Sequence, residues 1–374
     1  MRGVINRTHL FFILLAAIVF STTASAQWPW PDGGSDMTID AKAKAEAIDS
    51  LVKDLKEMYV LPDVGDNVAK MLADRQTRGE YDSVTSAQQL SELLNKQMYD
   101  IAHDLHLHVL YSSQTIPPMS PPGAAPQQPD PQALLQLRKA NYYFDEVKRL
   151  DGNIGYLKMN AFTDAELGGP TVAAAIAFLA NTDALIIDLR ENGGGSSDMV
   201  ALLASYLFSG DRPVHLSDVE SRKEGTREYT LTQSWVLPYV PGPRYVDREI
   251  YVLTSRHTLS AAEAFSYDMQ TQKRATIIGE TTWGGAHPIR VMRLGDHFQV
   301  FMPRGQAINP ITKTNWEGVG VKPDIAVPQE DALNVAQKTA LEHLIAKTTD
   351  EQELGGLKHA LADLEAAPAK AQKQ

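Results

Sequence analysis

The sequence predicts an α/β protein in which a helical segment precedes a region of alternating strands and helices. Two observations support this fold class. Short apolar, β-branched runs, typical of buried strands, lie at 153–159, 184–189, 249–255 and 275–280. Amphipathic stretches typical of helices lie between them, at 171–179, 198–207 and 261–270. Alternating strands and helices favour an α/β domain, which we place at residues 141–330.

The preceding residues, 37–110, predict a helical N-terminal module. Apolar side chains recur there at threes and fours, as in Ala41, Ala45, Ile48, Leu51, Val52, Leu55 and Met58. A later helix is expected to begin after Ser86, an N-cap residue type. Residues 111–140 include a proline- and glutamine-rich stretch, which predicts a loop or linker, or a lid over substrate. The remaining residues, 331–374, predict a helical tail.

The first 26 residues are typical of a signal peptide. Arg2 and Arg7 precede an apolar run, Leu10–Phe20, and the small-residue site Ala24–Ala26 follows it. We therefore expect a periplasmic or secreted protein. Eleven apolar residues are too few to cross a bilayer, which takes about 20, so no membrane span is expected after cleavage. A buried helix or a retained anchor is the alternative.

Composition excludes some classes of function. The formal net charge is −11, whereas nucleic-acid-binding domains are usually basic, so no nucleic-acid partner is predicted. The chain has no cysteine, which excludes thiol catalysis and cysteine metal sites.

A glycine run, Gly193–Gly195, follows the strand at 184–189 and precedes a helix that begins near Asp198. Glycines let the backbone turn sharply, so that amides can face a ligand. Such a turn can cradle a phosphate or stabilise an oxyanion. No Gly-Lys-Ser/Thr or GxGxxG motif follows, which disfavours the phosphate. A purely structural turn remains the alternative.

Ser260 lies at a second junction, between a strand that ends near Ser255 and the helix at 261–270. Serine in this position is commonly an N-cap, and Glu263 would complete a capping box. The same position is that of a nucleophile elbow, in which the hydroxyl is raised over the sheet edge. The Ala261 amide would then face the same point as the glycine turn.

Three histidines, His103, His106 and His108, follow the last predicted helix of the module. They could bind a metal, but no further ligand has a recognisable spacing, so no metal site is predicted. One of them could be a general base, or all three could be partly exposed polar residues. His106 and His108 would share a face if a strand has begun. Glu317, in a glycine-rich turn, is either solvated or a carboxylate that orients an active site.

These stretches occur in the order typical of one family: "DLHLHV", "DLRENGGG", "TSRHTLSAAEAF", "IGETTWGGAHP" and "WEGVGVKPDI". The chain resembles the tail-specific (C-terminal processing) serine proteases, in the branch of the tricorn core and the interphotoreceptor retinoid-binding protein repeats, over roughly 50–341. The resemblance implies a ClpP/crotonase-like α/β core with a helical N-terminal module. No cofactor is predicted. The resemblance also implies the site residues: nucleophile Ser260, general base His106, oxyanion-hole amides of Gly194 and Ala261, and Glu317, which completes the network.

Two departures refine this hypothesis. Members with a Ser/Lys dyad carry the lysine in the turn after "GETT", where this chain has Gly285, and the nearest lysine, Lys273, precedes that turn. Tricorn-type sites place a serine before the histidine, where this chain has Leu105. No stretch long enough for a PDZ module separates the helical module from the core, so recognition of a substrate tail by such a module is not expected. We therefore expect a histidine-based peptidase for peptide or protein substrates, with activity that rises between about pH 6 and 7.5 as His106 loses its proton.

The alternative is a non-catalytic module of the same fold that binds apolar ligands or peptides. The sequence predicts no oligomeric state.

Overall fold

The computed structural model describes residues 34–119 and 130–366. The predicted signal peptide, part of the proline-rich segment and the end of the tail lie outside the described residues. Among those described, no helix is both long and apolar enough to cross a membrane.

The N-terminal module consists of α1 (Ala41–Met58), α2 (Pro62–Thr77) and α3 (Ala87–Ala102), followed by β1 (His108–Tyr111). The Ser86 side chain accepts a hydrogen bond from the Gln89 amide, so the predicted N-cap is confirmed. The apolar positions read from the periodicity include Ile48, Leu51 and Leu55, which are buried in one cluster with residues of α2, α3 and β1. Helix α3 ends at His103, whose φ of 50° is left-handed, a common way to end a helix.

The next part of the chain contains α4 (Pro131–Lys139), a short 3₁₀ turn, and then the strands and helices of the core. The elements of the core are β2 (Phe144–Leu150), β3 (Ile154–Met159), α5 (Ala165–Leu179), β4 (Ala184–Asp188), α6 (Ser197–Leu207), β5 (His215–Arg222), β6 (Tyr229–Trp235), β7 (Glu249–Thr254), α7 (Ala261–Thr271), β8 (Thr276–Gly279), β9 (Ile289–Arg293), β10 (Phe298–Pro303), β11 (Gly305–Ile308) and β12 (Ile325–Ala326). Helices α8 (Ala332–Lys347) and α9 (Glu351–Ala366) form the tail.

A six-stranded sheet of order β12-β8-β7-β4-β3-β2 is the centre of the core. All neighbours in it are parallel except β2 and β3. Leu185 and Ile187 of β4 pack with α5, α6 and α7 on one face, whereas Ile186 packs with α8 and α9 on the other. Burial on both faces explains why these strands are continuously apolar. The predicted α/β core, helical N-terminal module and helical tail are confirmed.

Strand β1 joins the module to the core. It pairs with β10 in the antiparallel sheet β1-β10-β9, with Val109 opposite Val300. A second small sheet, β11-β5-β6, also contacts the module, because the Arg222 guanidinium donates to the backbone oxygens of Lys56 and Tyr59. These contacts hold residues 103–107, directly before β1, against the core.

Candidate active site

Ser260 lies at the carboxyl end of β7, at the N-cap of α7, with φ 50° and ψ −112°. A residue with a Cβ rarely adopts a positive φ, and such strain is concentrated at functional sites. The Ser260 amide donates to Glu263 Oε2 at 2.8 Å. The local geometry is that of a strained strand-to-helix elbow.

The glycine turn packs directly against this elbow. A Cβ on Gly194 would lie 2.9 Å from both Ser260 Cβ and the Leu259 oxygen. The Leu259 amide in turn donates to the oxygen of Asn192, a fully buried residue. Only glycine at position 194 allows the two loops to come this close.

The base of the glycine turn is braced by a buried ion pair. Asp188 accepts hydrogen bonds from the Arg190 guanidinium and from the Tyr156 hydroxyl. Arg190 also donates to the Gln329 oxygen at 2.6 Å. The "DLR" residues therefore fix the direction in which the chain leaves β4.

The hydrogen bonds of the glycine-turn amides differ from those expected for an oxyanion hole at Gly194. The Gly194 amide donates to Asn192 Oδ1 at 2.9 Å, so it is already used within the protein. The Gly194 oxygen accepts from the Phe162 amide. Because a trans peptide places N–H opposite C=O, the Gly195 N–H points away from Phe162. Within the described part of the chain, no hydrogen bond of the Gly195 or Ala261 amide to a protein acceptor is seen. The predicted Gly194 amide is therefore occupied by Asn192, whereas the Gly195 amide is available to a ligand.

His106 is buried between α3 and β1, with 4% of its surface exposed. Its amide donates to Asp104 Oδ1 at 2.9 Å, and its ring meets the Trp283 ring edge-on at 5.2 Å. A Cβ added to Gly285 would lie 2.3 Å from His106 Cε1. The imidazole therefore occupies the space into which a side chain at position 285 would extend.

The other two histidines have different surroundings. Strand β1 begins at His108, after His106, so the condition under which the two histidines would share a strand face is not met. His108 Nε2 lies 3.2 Å from Asn95 Nδ2, and His103 ends α3. Of the three, only His106 is placed against Gly285.

Glu317 lies beside His106. Its Oε2 accepts from the Ala286 amide at 2.5 Å. Ligand-type atoms of Glu317, His106 and Asp104 all lie within 4.8 Å of one another. The structure therefore brings the predicted carboxylate, Glu317, close to His106, together with Asp104, to which the sequence assigned no role. Such a set could hold a metal ion, although Asp104 already accepts hydrogen bonds with both oxygens.

The pKa values in this cluster are displaced by burial. Burial lowers the pKa of His106 to about 4 and raises that of Glu317 to about 7. His106 is therefore neutral at pH 6 to 7.5, and the expected loss of its proton in that range is not supported. Glu317 titrates there instead.

Sequence reasoning assigned Glu263 only a capping role, but it is fully buried and accepts four hydrogen bonds. Thr282 Oγ1 and the Gly284 amide donate to Oε1, both at 2.6 Å. The amides of Ser260 and Gly285 donate to Oε2, at 2.8 and 2.9 Å. One carboxylate thus joins the elbow to the turn that contacts His106. Burial raises its pKa to about 7.

Sequence reasoning also assigned no role to Asp104 and His287. His287 Nδ1 lies 2.7 Å from Asp104 Oδ2 and 3.7 Å from Glu317 Oε2. The Tyr59 hydroxyl donates to the same Asp104 oxygen at 2.9 Å. The available signal was the histidine in "GGAHP", two residues after Gly285.

A cavity of about 1040 Å³ lies elsewhere. Its lining includes Glu249 and Thr276, the first residues of β7 and β8, whereas Ser260 follows the opposite end of β7. This cavity is not part of the candidate active site.

Two family models match the chain. Residues 153–327 match peptidase family S41, and residues 41–142 match the N-terminal domain of Peptidase_S41 in eukaryotic IRBP. A carboxy-terminal-processing protease of Bartonella bacilliformis is 28% identical over 190 residues, which are 48% of this chain and 40% of that protein. A tail-specific protease of Haemophilus influenzae is 36% identical over 104 residues, 27% of this chain and 13% of that one. The chain thus spans less than half the length of these relatives.

The fold is also that of a solved structure. A Parabacteroides merdae protein described as a peptidase superposes with a TM-score of 0.54 at 19% identity, over 83% of this chain and 98% of that one. This likeness shows a shared fold. The two family matches concern domains of the same family, so residues 41–142 and 153–327 are both similar to peptidase family S41.

Proposed function

We propose that the chain is an exported serine peptidase whose nucleophile is Ser260 and whose general base is His106. One observation carries the proposal. The amides of Ser260 and Gly285 donate to the same oxygen of Glu263, and the His106 ring packs against Gly285. The strained serine and the turn against which the buried histidine packs are therefore both held by one oxygen of Glu263, which supports a shared site.

The proposed reaction is acyl transfer. Ser260 Oγ attacks a peptide carbonyl while His106 accepts its proton, and the amides of Gly195 and Ala261 stabilise the oxyanion. His106 then protonates the leaving amine, and water hydrolyses the acyl-enzyme.

A histidine with a pKa of about 4 is a weak base on its own. Glu317, once ionised, places a negative charge near it and stabilises the imidazolium that forms in the transition state. Glu317 therefore activates His106. The proposed acyl transfer uses protein groups and water, without a cofactor.

The substrate is proposed to be a peptide or protein, in keeping with the processing proteases among the relatives. Export to the periplasm or the medium rests on the sequence of residues 1–26. It is tested by the N-terminus of the mature protein, which is expected at Gln27.

Labelling with a fluorophosphonate tests the nucleophile without knowledge of the substrate. The wild-type protein should be labelled on Ser260, whereas Ser260→Ala should fold with a similar Tm and not react. Ser266→Ala is the matched control, because Ser266 is a buried serine of α7 whose hydroxyl donates to the Ala262 oxygen. It should label like the wild type. Undiminished labelling of Ser260→Ala would exclude the proposed nucleophile.

The alternative, a non-catalytic module that binds apolar ligands or peptides, predicts a different result. The wild type would then fail to react, and an apolar ligand or a peptide would raise its Tm.

A further inference from the structure

The strongest unassigned group in the structure is His287, which lies between two carboxylates at the candidate active site. Its side chain is 6% exposed, and that of Asp104 is 1% exposed. Nδ1 faces Asp104 Oδ2 at 2.7 Å and Glu317 Oε2 at 3.7 Å. The carboxylates of Asp104 and Glu317 have oxygens within 4.8 Å of each other. In a buried site they would repel each other strongly unless a cation or a proton lay between them.

The hydrogen bonds define which atom carries the proton. Asp104 Oδ2 already accepts from the Tyr59 hydroxyl, and a carboxylate oxygen can only accept. His287 Nδ1 must therefore be protonated and donate. The adjacent carboxylates raise the pKa of His287 despite its burial, which favours the imidazolium.

Asp104 connects His287 to the general base. Its other oxygen, Oδ1, accepts from the His106 amide at 2.9 Å. His287 also lies two residues after Gly285, against which the His106 ring packs. The segment Gly285–His287 thus touches His106 at both its ring and, through Asp104, its backbone.

We propose that His287 is a positioning residue, an imidazolium that anchors Asp104, holds the His106 loop, and allows Glu317 to ionise beside His106. This inference rests on the proposed serine peptidase mechanism. His287 is not required to touch the substrate. Its two effects, one through a hydrogen bond and one through charge, can be separated.

His287→Asn keeps a donor near the position of Nδ1 but removes the cation. Without that cation the ionised Glu317 is less stable, so its pKa should rise. The pH midpoint of fluorophosphonate labelling should then move upward by ~1 unit, with slower labelling at neutral pH. Tyr59→Phe removes the other donor to Asp104 Oδ2 and keeps the cation, so labelling should slow without a shift of the midpoint.

A matched control is His215→Gln. His215 also contacts an aspartate, Asp218, at 2.7 Å, but it lies on β5 and stacks on Trp235. The His215→Gln variant should label at the wild-type rate and with the wild-type pH midpoint. Should His287→Asn fail to fold, His287→Gln is expected to give the same upward shift.

The outcomes distinguish the two proposals. If wild-type Ser260 does not react, the serine peptidase mechanism fails, and the role of His287 within it fails as well. If the wild type reacts and His287→Asn labels with an unchanged rate and midpoint, only the His287 proposal is overturned. A slower rate with an unchanged midpoint overturns the charge role, because a purely structural effect predicts that result.

Discussion

Replacement of Gly285 by alanine tests whether the space beside His106 is essential. An added Cβ would lie 2.3 Å from His106 Cε1, 2.9 Å from its Nδ1 and 2.7 Å from Trp283 Cζ3. Carbon atoms in contact are normally about 3.5–4.0 Å apart, so the imidazole must move by ~1 Å or more. The φ angle of Gly285 is not in the positive region. The effect of the substitution would therefore come from this contact and not from backbone strain.

The expected magnitudes follow from this displacement. Overpacking of a well-packed region costs about 1–3 kcal/mol, which should lower the Tm by several degrees. A catalytic group misplaced by ~1 Å can cost about 10²-fold in rate. We therefore expect Gly285→Ala to fold and to label with fluorophosphonate about 10²-fold more slowly than the wild type.

A control and a double-mutant cycle isolate the cause. Gly356→Ala, in α9, adds a Cβ with no neighbour within 4 Å and should leave the labelling rate unchanged. In a His106→Ala background, Gly285→Ala should cost less stability, because the crowded imidazole is absent and only the contact with Trp283 remains. If Gly285→Ala reacted with the fluorophosphonate at the wild-type rate, the placement of His106 beside position 285 would be refuted.

Further predictions concern three other groups, Glu263, Glu317 and Arg222. Glu263→Gln should lower the Tm and slow labelling, because the NH₂ group of the glutamine would face backbone N–H donors. Each unsatisfied group costs ~1–3 kcal/mol of stability. An unchanged Tm in thermal unfolding would contradict this. Labelling should rise with pH through about 7 as Glu317 ionises, and Glu317→Gln should be slow and lack this rise; a rise that persists in this variant would assign it elsewhere. Folding raises the pKa of Glu317 to about 7. Its contribution to stability is therefore complete below about pH 4.5 and is lost as the pH approaches 7. The Tm of the wild type relative to that of Glu317→Gln should accordingly fall as the pH rises across this window. Arg222→Met should destabilise the junction of module and core by a few kcal/mol, since Arg222 donates to three backbone oxygens and unpaired buried carbonyls cost ~1–3 kcal/mol each; denaturant unfolding measures it, and a loss under 0.5 kcal/mol would show that water replaces these bonds.

Much of the fold could be predicted because its signals are local. The apolar runs of β4 and β7 and the periodic helices of the module depend on residues close in sequence, and the observed elements lie within a few residues of the predicted ones. The strand-to-helix junction at Ser260 was also visible, since a short strand, a serine and a helix follow one another directly.

The sequence could not show which side chains meet at the site. Glu263 looks like an ordinary helix cap until Thr282, Gly284 and Gly285 are brought to it by the turn after β8. The Gly194 amide appears available until Asn192 is seen to occupy it. These are contacts between atoms whose orientation depends on backbone dihedrals and on packing.

By itself, the sequence determined the α/β class, the helical module and the serine and glycine junctions, because periodicity and turn chemistry are properties of neighbouring residues. Only the tertiary structure decided that His106, from the module, lies beside Gly285 and Glu317, and that His287 lies between Asp104 and Glu317. The pairing of β1 with β10 brings these residues together across nearly 200 positions of the chain. Their burial then sets their charge states, since the cost of a buried charge depends on the neighbours that solvate it.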